Sequence, residues 1–383
     1  MNYIPYGRQH IDSSDVKAVI KTTKNNLITT GPLVQKFETD LKNYLKAKYA
    51  TVCTSGTAAL HLAILSINLK PGDIFIVPSI NFVSICNILN LHKGKIYLAD
   101  VDPLTGQMTP ENLASCIKKN KLKKIRGFVT MYLGGSSNNN VEFYKIKKKY
   151  KCLMIEDACH ALGASYVYKK KIYKVGSCKH SDICVFSLHP LKSITTGEGG
   201  ILTTSKKFIS NGAHKMRSHG IIKTKKNKHW LYDVESIGLN YRLSDINCAL
   251  GISQLKKIKK FIHKRLSIIS KYTKEILIND QVSIADKFNK LSANHLFRLH
   301  INFKELKISK DKFFGIFLKN NVRLQQHYIP IYKFKIYKNL KTDNFKGAEK
   351  YFKNTISFPI YFDLTPQKQK KIINLINKTI YKY

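Results

Sequence analysis

The chain has 383 residues, room for two or three domains and a large buried core, and its 43% hydrophobic and 23% charged composition excludes a predominantly disordered protein. Its 66 Lys+Arg against 24 Asp+Glu give a formal net charge of +42, a balance that ordinarily points to a polyanionic partner. Only seven of those cations are Arg (Arg8, Arg126, Arg217, Arg242, Arg265, Arg298 and Arg323), the side chain that bidentate phosphate and base recognition favours, so a basic nucleic-acid-binding protein is the weaker, non-enzymatic alternative.

Taken in chain order, the N-terminal segment lacks the apolar stretch of a signal peptide, and no run of about 18 apolar residues occurs anywhere. Short apolar runs rich in β-branched residues then alternate with helical patterns at 49–53, 74–77, 96–98, 127–130, 152–155, 183–186 and 201–203. This alternation predicts one large, mostly parallel seven-stranded sheet in an α/β domain over 1–250. From about 247 to 278 the pattern predicts a long helix with a break near Lys264. A smaller C-terminal α/β domain is expected over 251–383. The eight cysteines lack the paired close spacing of zinc or redox sites, which predicts no metal centre and buried thiols in a reducing, cytoplasmic compartment.

Three segments can carry chemistry. Thr54-Ser-Gly-Thr-Ala-Ala-Leu60 follows a strand and opens an apolar helix, where Gly56 permits a tight turn and the free N–H groups of the helix start suit a phosphate. Taken alone, it reads first as an ordinary Ser/Thr N-cap on a buried helix. Leu153-Met-Ile-Glu-Asp-Ala-Cys-His160 ends a buried strand in two acids, at the edge where parallel sheets bind ligands. Its plain alternative is a pair of capping acids followed by a core histidine. Phe186 to Gly200 runs from a strand through a Pro-flanked loop bearing Lys192 into a glycine-rich turn, a setting for Schiff-base chemistry. One lysine carries no weight in this chain; the order of phosphate cradle, strand-end acid and loop lysine does, because a pyridoxal-phosphate site requires all three.

With Arg217-Ser-His-Gly220 and Gly238-Leu-Asn-Tyr-Arg-Leu-Ser-Asp245, these motifs make the whole chain resemble the DegT/DnrJ/EryC1/StrS sugar aminotransferases, of the aspartate-aminotransferase fold (PLP-dependent transferase fold type I). Later segments, among them Asn294-His-Leu296 and Gln325-Gln-His-Tyr-Ile-Pro-Ile-Tyr332, resemble the branch that aminates C4 of a UDP-linked 4-keto-6-deoxy-N-acetylhexosamine for pseudaminic acid. A GDP-perosamine synthase-like reaction is the alternative sugar. The chain departs from the family at Gly134-Gly-Ser-Ser-Asn-Asn-Asn140, where relatives commonly carry a Gly-Gln-Pro type turn.

The resemblance implies pyridoxal 5'-phosphate as cofactor, L-glutamate as amino donor and a homodimer. It implies that Lys192 carries the cofactor aldehyde and later moves the proton, that Asp157 pairs with the pyridine nitrogen, and that His160 bonds on the phenolic-oxygen side. Phe82 is expected to stack on the ring, and Gly56, Thr57 and Ser187 to cradle the phosphate. Asn240 is expected to reach the neighbouring subunit's phosphate region. For the sugar nucleotide the resemblance points to Tyr6, to Asn26, Leu27, Ile28 and Thr29, and to Gln325, Gln326, His327 and Tyr328.

Overall fold

The computed structural model describes residues 3–223, 228, 230–285 and 290–382. Seven strands form one sheet: β1 (Tyr49–Cys53), β2 (Ile74–Pro78), β3 (Lys95–Ala99), β4 (Gly127–Met131), β5 (Leu153–Asp157), β6 (Ile183–Ser187) and β7 (Gly200–Thr204). They are the seven runs read from the sequence. Their spatial order is β1-β7-β6-β5-β4-β2-β3. Neighbours from β3 to β6 pair in parallel, whereas β7 runs antiparallel to both β6 and β1. Strands β4, β6 and β7 are buried at every position, which is why they read as continuous apolar or small runs without alternation. Because β4, β5 and β6 are parallel, Met131, Asp157 and Ser187 end their strands along one sheet edge, where such sheets form a binding crevice.

Helix α1 (Ser13–Thr23) and helix α2 (Pro32–Leu45) precede the sheet, and α3 (Gly56–Ser66) follows β1 almost directly. Helix α4 (Asp245–Glu275) is continuous over 31 residues. The break expected near Lys264 is therefore absent, and the boundary read at 250/251 falls inside α4. The misleading signal is Arg265, a charged residue at a buried position of the helix stripe. Its guanidinium is accommodated by the carbonyls of His295 and Ile360, both at 3.1 Å. Gly251 lets α4 approach α2 closely, since a Cβ there would meet the Phe37 ring at 2.5 Å.

The first half of α4 packs in the core of the large sheet through Cys248, Ile252, Leu255 and Ile258. Its second half contributes Ile268, Ile269 and Tyr272 to a separate core. That second core lies against an antiparallel three-stranded sheet of β8 (Val282–Ile284), β9 (Phe297–Ile301) and β10 (Thr355–Phe358), together with helices α5 (Lys310–Lys319) and α6 (Pro366–Lys382). Tyr272 stacks on Phe297 with centroids 4.5 Å apart. One helix rooted in both cores holds the smaller sheet against the crevice. Among the described residues no helix is long and apolar enough to cross a membrane.

Candidate active site

A cavity of about 640 Å³ opens at the carboxyl ends of β4, β5 and β6. Of the residues singled out from sequence, Tyr6, Gly56, Thr57, Phe82, Asp157, His160, Ser187, Lys192, Gln325, Gln326, His327 and Tyr328 all line it.

The helix-start wall is built by α3. The Ser55 hydroxyl caps the helix by accepting from Ala58 N at 3.0 Å, leaving the amides of Gly56 and Thr57 at the head of the helix. The Thr57 hydroxyl lies 3.0 Å from that of Ser84. Space there is tight: a Cβ on Gly56 would stand 2.9 Å from Ser187 Cβ and 3.2 Å from Cys159 Sγ. Glycine keeps this recess open for an anion held by backbone N–H groups and small hydroxyls.

The two acids ending β5 divide by the strand's period of two. Glu156 turns away from the cavity and accepts from the Tyr132 hydroxyl at 2.6 Å and from Asn140 Nδ2 at 3.0 Å. Asp157 faces the cavity, is 3% exposed, and accepts the Cys159 N–H at 3.2 Å. It forms no ion pair within 4.0 Å among the described residues. Burial raises its carboxyl above the ordinary aspartate value, opposed by the Cys159 hydrogen bonds and by Lys192. A buried carboxylate in this state calls for a cation.

Lys192 is presented by the loop between β6 and β7. That loop is pinned by Leu188 N to Gly199 O at 2.8 Å, by the Thr195 hydroxyl to Leu188 O at 2.9 Å, and by Asn247 Nδ2 of α4 to Thr196 O at 2.6 Å. Burial lowers the amine's pKa, with Arg265 acting in the same direction and Cys159 and Asp157 against it. An amine shifted this way is more readily unprotonated, the form that acts as nucleophile and base.

The far wall comes from the smaller sheet. Gln325 pairs with Ser357 of β10 through N to O at 3.1 Å and O from N at 2.9 Å. Ile331 N reaches Ser79 O at 2.9 Å, tying this segment to the end of β2. Tyr6 is placed by its carbonyl, which accepts Ile360 N at 3.0 Å, and its ring meets His327 edge-on at 5.5 Å. Phe82 is 53% exposed, so it is a cavity wall and not part of the core.

Asn26, Leu27, Ile28, Thr29 and Asn240 do not line the cavity of the single chain. All five are exposed, with Ile28 O accepting Asp245 N at 3.1 Å and Asn240 bridged to Ser218. The cavity also contains residues given no individual role in the sequence analysis: Ser55, Ser84, Cys159, His189, Glu198 and His295. The His295 ring lies tilted against His160 with centroids 4.2 Å apart, an approach across 135 residues that no local pattern reports.

The side chains present match a pyridoxal phosphate. The Gly56 recess suits its phosphate, the uncompensated Asp157 suits a protonated ring nitrogen, Phe82 suits a ring face and Lys192 suits an aldehyde. Among the described residues no cluster of three or more His, Cys, Asp or Glu could hold a metal ion.

Comparison with known proteins agrees. The model of the DegT/DnrJ/EryC1/StrS aminotransferase family matches residues 9–377. A UDP-4-amino-4,6-dideoxy-N-acetyl-beta-L-altrosamine transaminase of Campylobacter jejuni is 35% identical over 369 residues, 96% of this chain and 95% of that protein. Helicobacter pylori PseC, an aminotransferase involved in the biosynthesis of pseudoaminic acid, superposes with a TM-score of 0.91 at 28% identity, covering 100% of both chains. The PLP form of the putative sugar aminotransferase Spr1654 from Streptococcus pneumoniae shares the fold, with a TM-score of 0.88 at 22% identity over 99% of each chain.

Proposed function

This chain belongs to the DegT/DnrJ/EryC1/StrS aminotransferase family, and on that premise we propose that it moves an amino group from L-glutamate to the C4 ketone of a UDP-linked 4-keto-6-deoxy-N-acetylhexosamine. The observation that carries this reading is the convergence of Lys192, Asp157 and the Gly56 recess on one cavity whose opposite wall is Tyr6 with Gln325 to Tyr328.

Bound pyridoxal phosphate supplies the electron sink that lets a carbon next to nitrogen lose its proton. Gly56, Thr57 and Ser187 hold its phosphate. Asp157 keeps the ring nitrogen protonated, since an ion pair in a desolvated pocket favours both charged partners. Phe82 covers one ring face. Lys192 would hold the cofactor's aldehyde carbon, and its amine, when free, would be the group placed to take the proton from the substrate carbon and return it on the far side of the nitrogen. Tyr6, Gln325, Gln326 and His327 orient the sugar nucleotide through contacts remote from the reacting carbon.

The test is a panel of UDP- and GDP-linked keto-sugars with product regiochemistry read by NMR. The expected product carries a C4 amine on the UDP-linked N-acetylhexosamine, with free keto-sugar far poorer. A C3 amine, or equal rates without the nucleotide, would overturn the substrate while leaving transamination intact.

The exposed positions of Asn26 to Thr29 and Asn240 fit a homodimer in which each protomer completes its partner's site. Solvent-facing apolar side chains near Asn240 support it, with Trp230 64%, Tyr232 59%, Val234 55% and Ile237 89% exposed. Mixing inactive Lys192→Ala with an inactive Asn240→Ala variant is expected to restore part of the activity through hybrid dimers holding one intact site. Absence of recovery, with subunit exchange shown by native mass spectrometry, would remove the shared site.

A further inference from the structure

Both ring nitrogens of His160 have partners within the chain, so a bond on the cofactor's phenolic-oxygen side would share its Nε2 with Tyr328. The Gly134 N–H donates to its Nδ1 at 3.4 Å, and its Nε2 lies 3.0 Å from the Tyr328 hydroxyl. A backbone N–H can only donate, so Nδ1 holds the lone pair and Nε2 carries the hydrogen. The Tyr328 oxygen therefore accepts from His160, and its own hydrogen is left for the cavity that Tyr328 lines. The same Gly134 fixes the second histidine, because its carbonyl accepts His295 N at 2.9 Å, and the His295 ring lies against His160. Gly134 stands at φ +82°, in the stretch where this chain departs from the family's usual turn. Burial, then Lys192, His295, His327 and Arg298, hold His160 well below the usual imidazole pKa, so the ring stays neutral.

Resting on the aminotransferase reading above, we propose that Gly134 and His160 are positioning groups for Tyr328, which is a catalytic residue donating its hydroxyl hydrogen to the carbonyl oxygen that nitrogen displaces. When the carbon–nitrogen bond forms and the carbon–oxygen bond breaks, the oxygen takes up two protons and leaves as water, and the incoming amine gives up two. In each of the two transfers Tyr328 hands a proton to the oxygen and recovers one released at nitrogen, so the residue ends as it began. Burial raises the phenol's pKa well above the ordinary tyrosine value, which favours that recovery. The role is distinct from sugar binding, because it serves the keto-acid exchange as much as the sugar.

Two measurements test it. In cofactor-free protein, 15N NMR of labelled histidine should show His160 neutral with Nδ1 unprotonated, and the same tautomer in Tyr328→Phe; an Nδ1–H tautomer overturns the proposal. In the holoenzyme, Tyr328→Phe should lower kcat roughly 100-fold in both half-reactions, the scale of losing one general acid, with KM for the sugar nucleotide changed by less than about threefold. His160→Leu should fall to the same level, the double variant no further, and His160→Gln, which keeps an N–H donor, should recover most of the rate. A raised KM with kcat preserved would make Tyr328 a binding residue only. The glutamate half-reaction is measured without sugar, so a wrong sugar assignment leaves this test standing.

Discussion

Lys192→Ala protein is expected to show no visible absorbance band of a lysine-linked cofactor and to lose turnover by roughly 10⁴-fold or more, since one amine serves as covalent anchor and as general acid–base group. The wild-type band should bleach on adding L-glutamate. The variant should still take up pyridoxal phosphate weakly, because Gly56, Thr57, Ser187 and Asp157 remain. Full turnover by the variant would refute the assignment of Lys192. Cofactor-free protein offers an independent reading. Burial lowers the folded-state pKa of this amine below its unfolded value, so the unfolded chain binds the extra proton between the two. Stability contributed by Lys192 therefore rises with pH across that interval, and at neutral pH cofactor-free Lys192→Ala should unfold at a higher temperature than the wild type.

Asp157→Asn separates binding from chemistry. The amide fills the same space and leaves the phosphate recess and Lys192 in place, so the visible band should persist. Turnover should fall by roughly 10²- to 10³-fold, the range for removing one preorganised electrostatic stabiliser, because the ring nitrogen loses the charge that keeps it protonated. Full turnover by this variant would remove Asp157 from the mechanism. Stability moves the other way. Burial raises this carboxyl's folded-state pKa, so its stabilising contribution is present in acid and is lost as pH rises through the folded value. Cofactor-free Asp157→Asn should accordingly be more stable than wild type at pH 7, with the difference vanishing on acidification. Thermal unfolding of the cofactor-free proteins across pH checks both signs.

The strands were legible because a sheet buried on both faces demands continuous apolar runs, and 127–130 and 183–186 have no other use for them. Residue order also pointed to groups that line the cavity: a helix start with Gly56, an acid ending a strand and a loop lysine lie within local segments whose conformation their own residues dictate. The long helix runs unbroken past Lys264 for a reason outside the helix. Arg265 sits where an apolar residue is expected, and only the carbonyls of His295 and Ile360, 30 and 95 residues away, make its burial tolerable. The choice between Glu156 and Asp157 follows from strand alternation once the sheet's faces are known, and those faces are set by which helices cover them.

Side chains brought together across long separations were decided by tertiary structure alone. His160 meets Tyr328 directly and His295 beside Gly134, and Tyr6 meets His327 because the Tyr6 carbonyl accepts Ile360 N just beyond β10 while the His327 ring bonds the Ser357 hydroxyl within it. Sequence determined which groups are present and how each short segment folds, since propensity, capping and apolar period act over a few residues. Which nitrogen of His160 bears the hydrogen, and so which way a tyrosine hydroxyl points, depends on a backbone N–H 26 residues upstream and is fixed only when the chain packs.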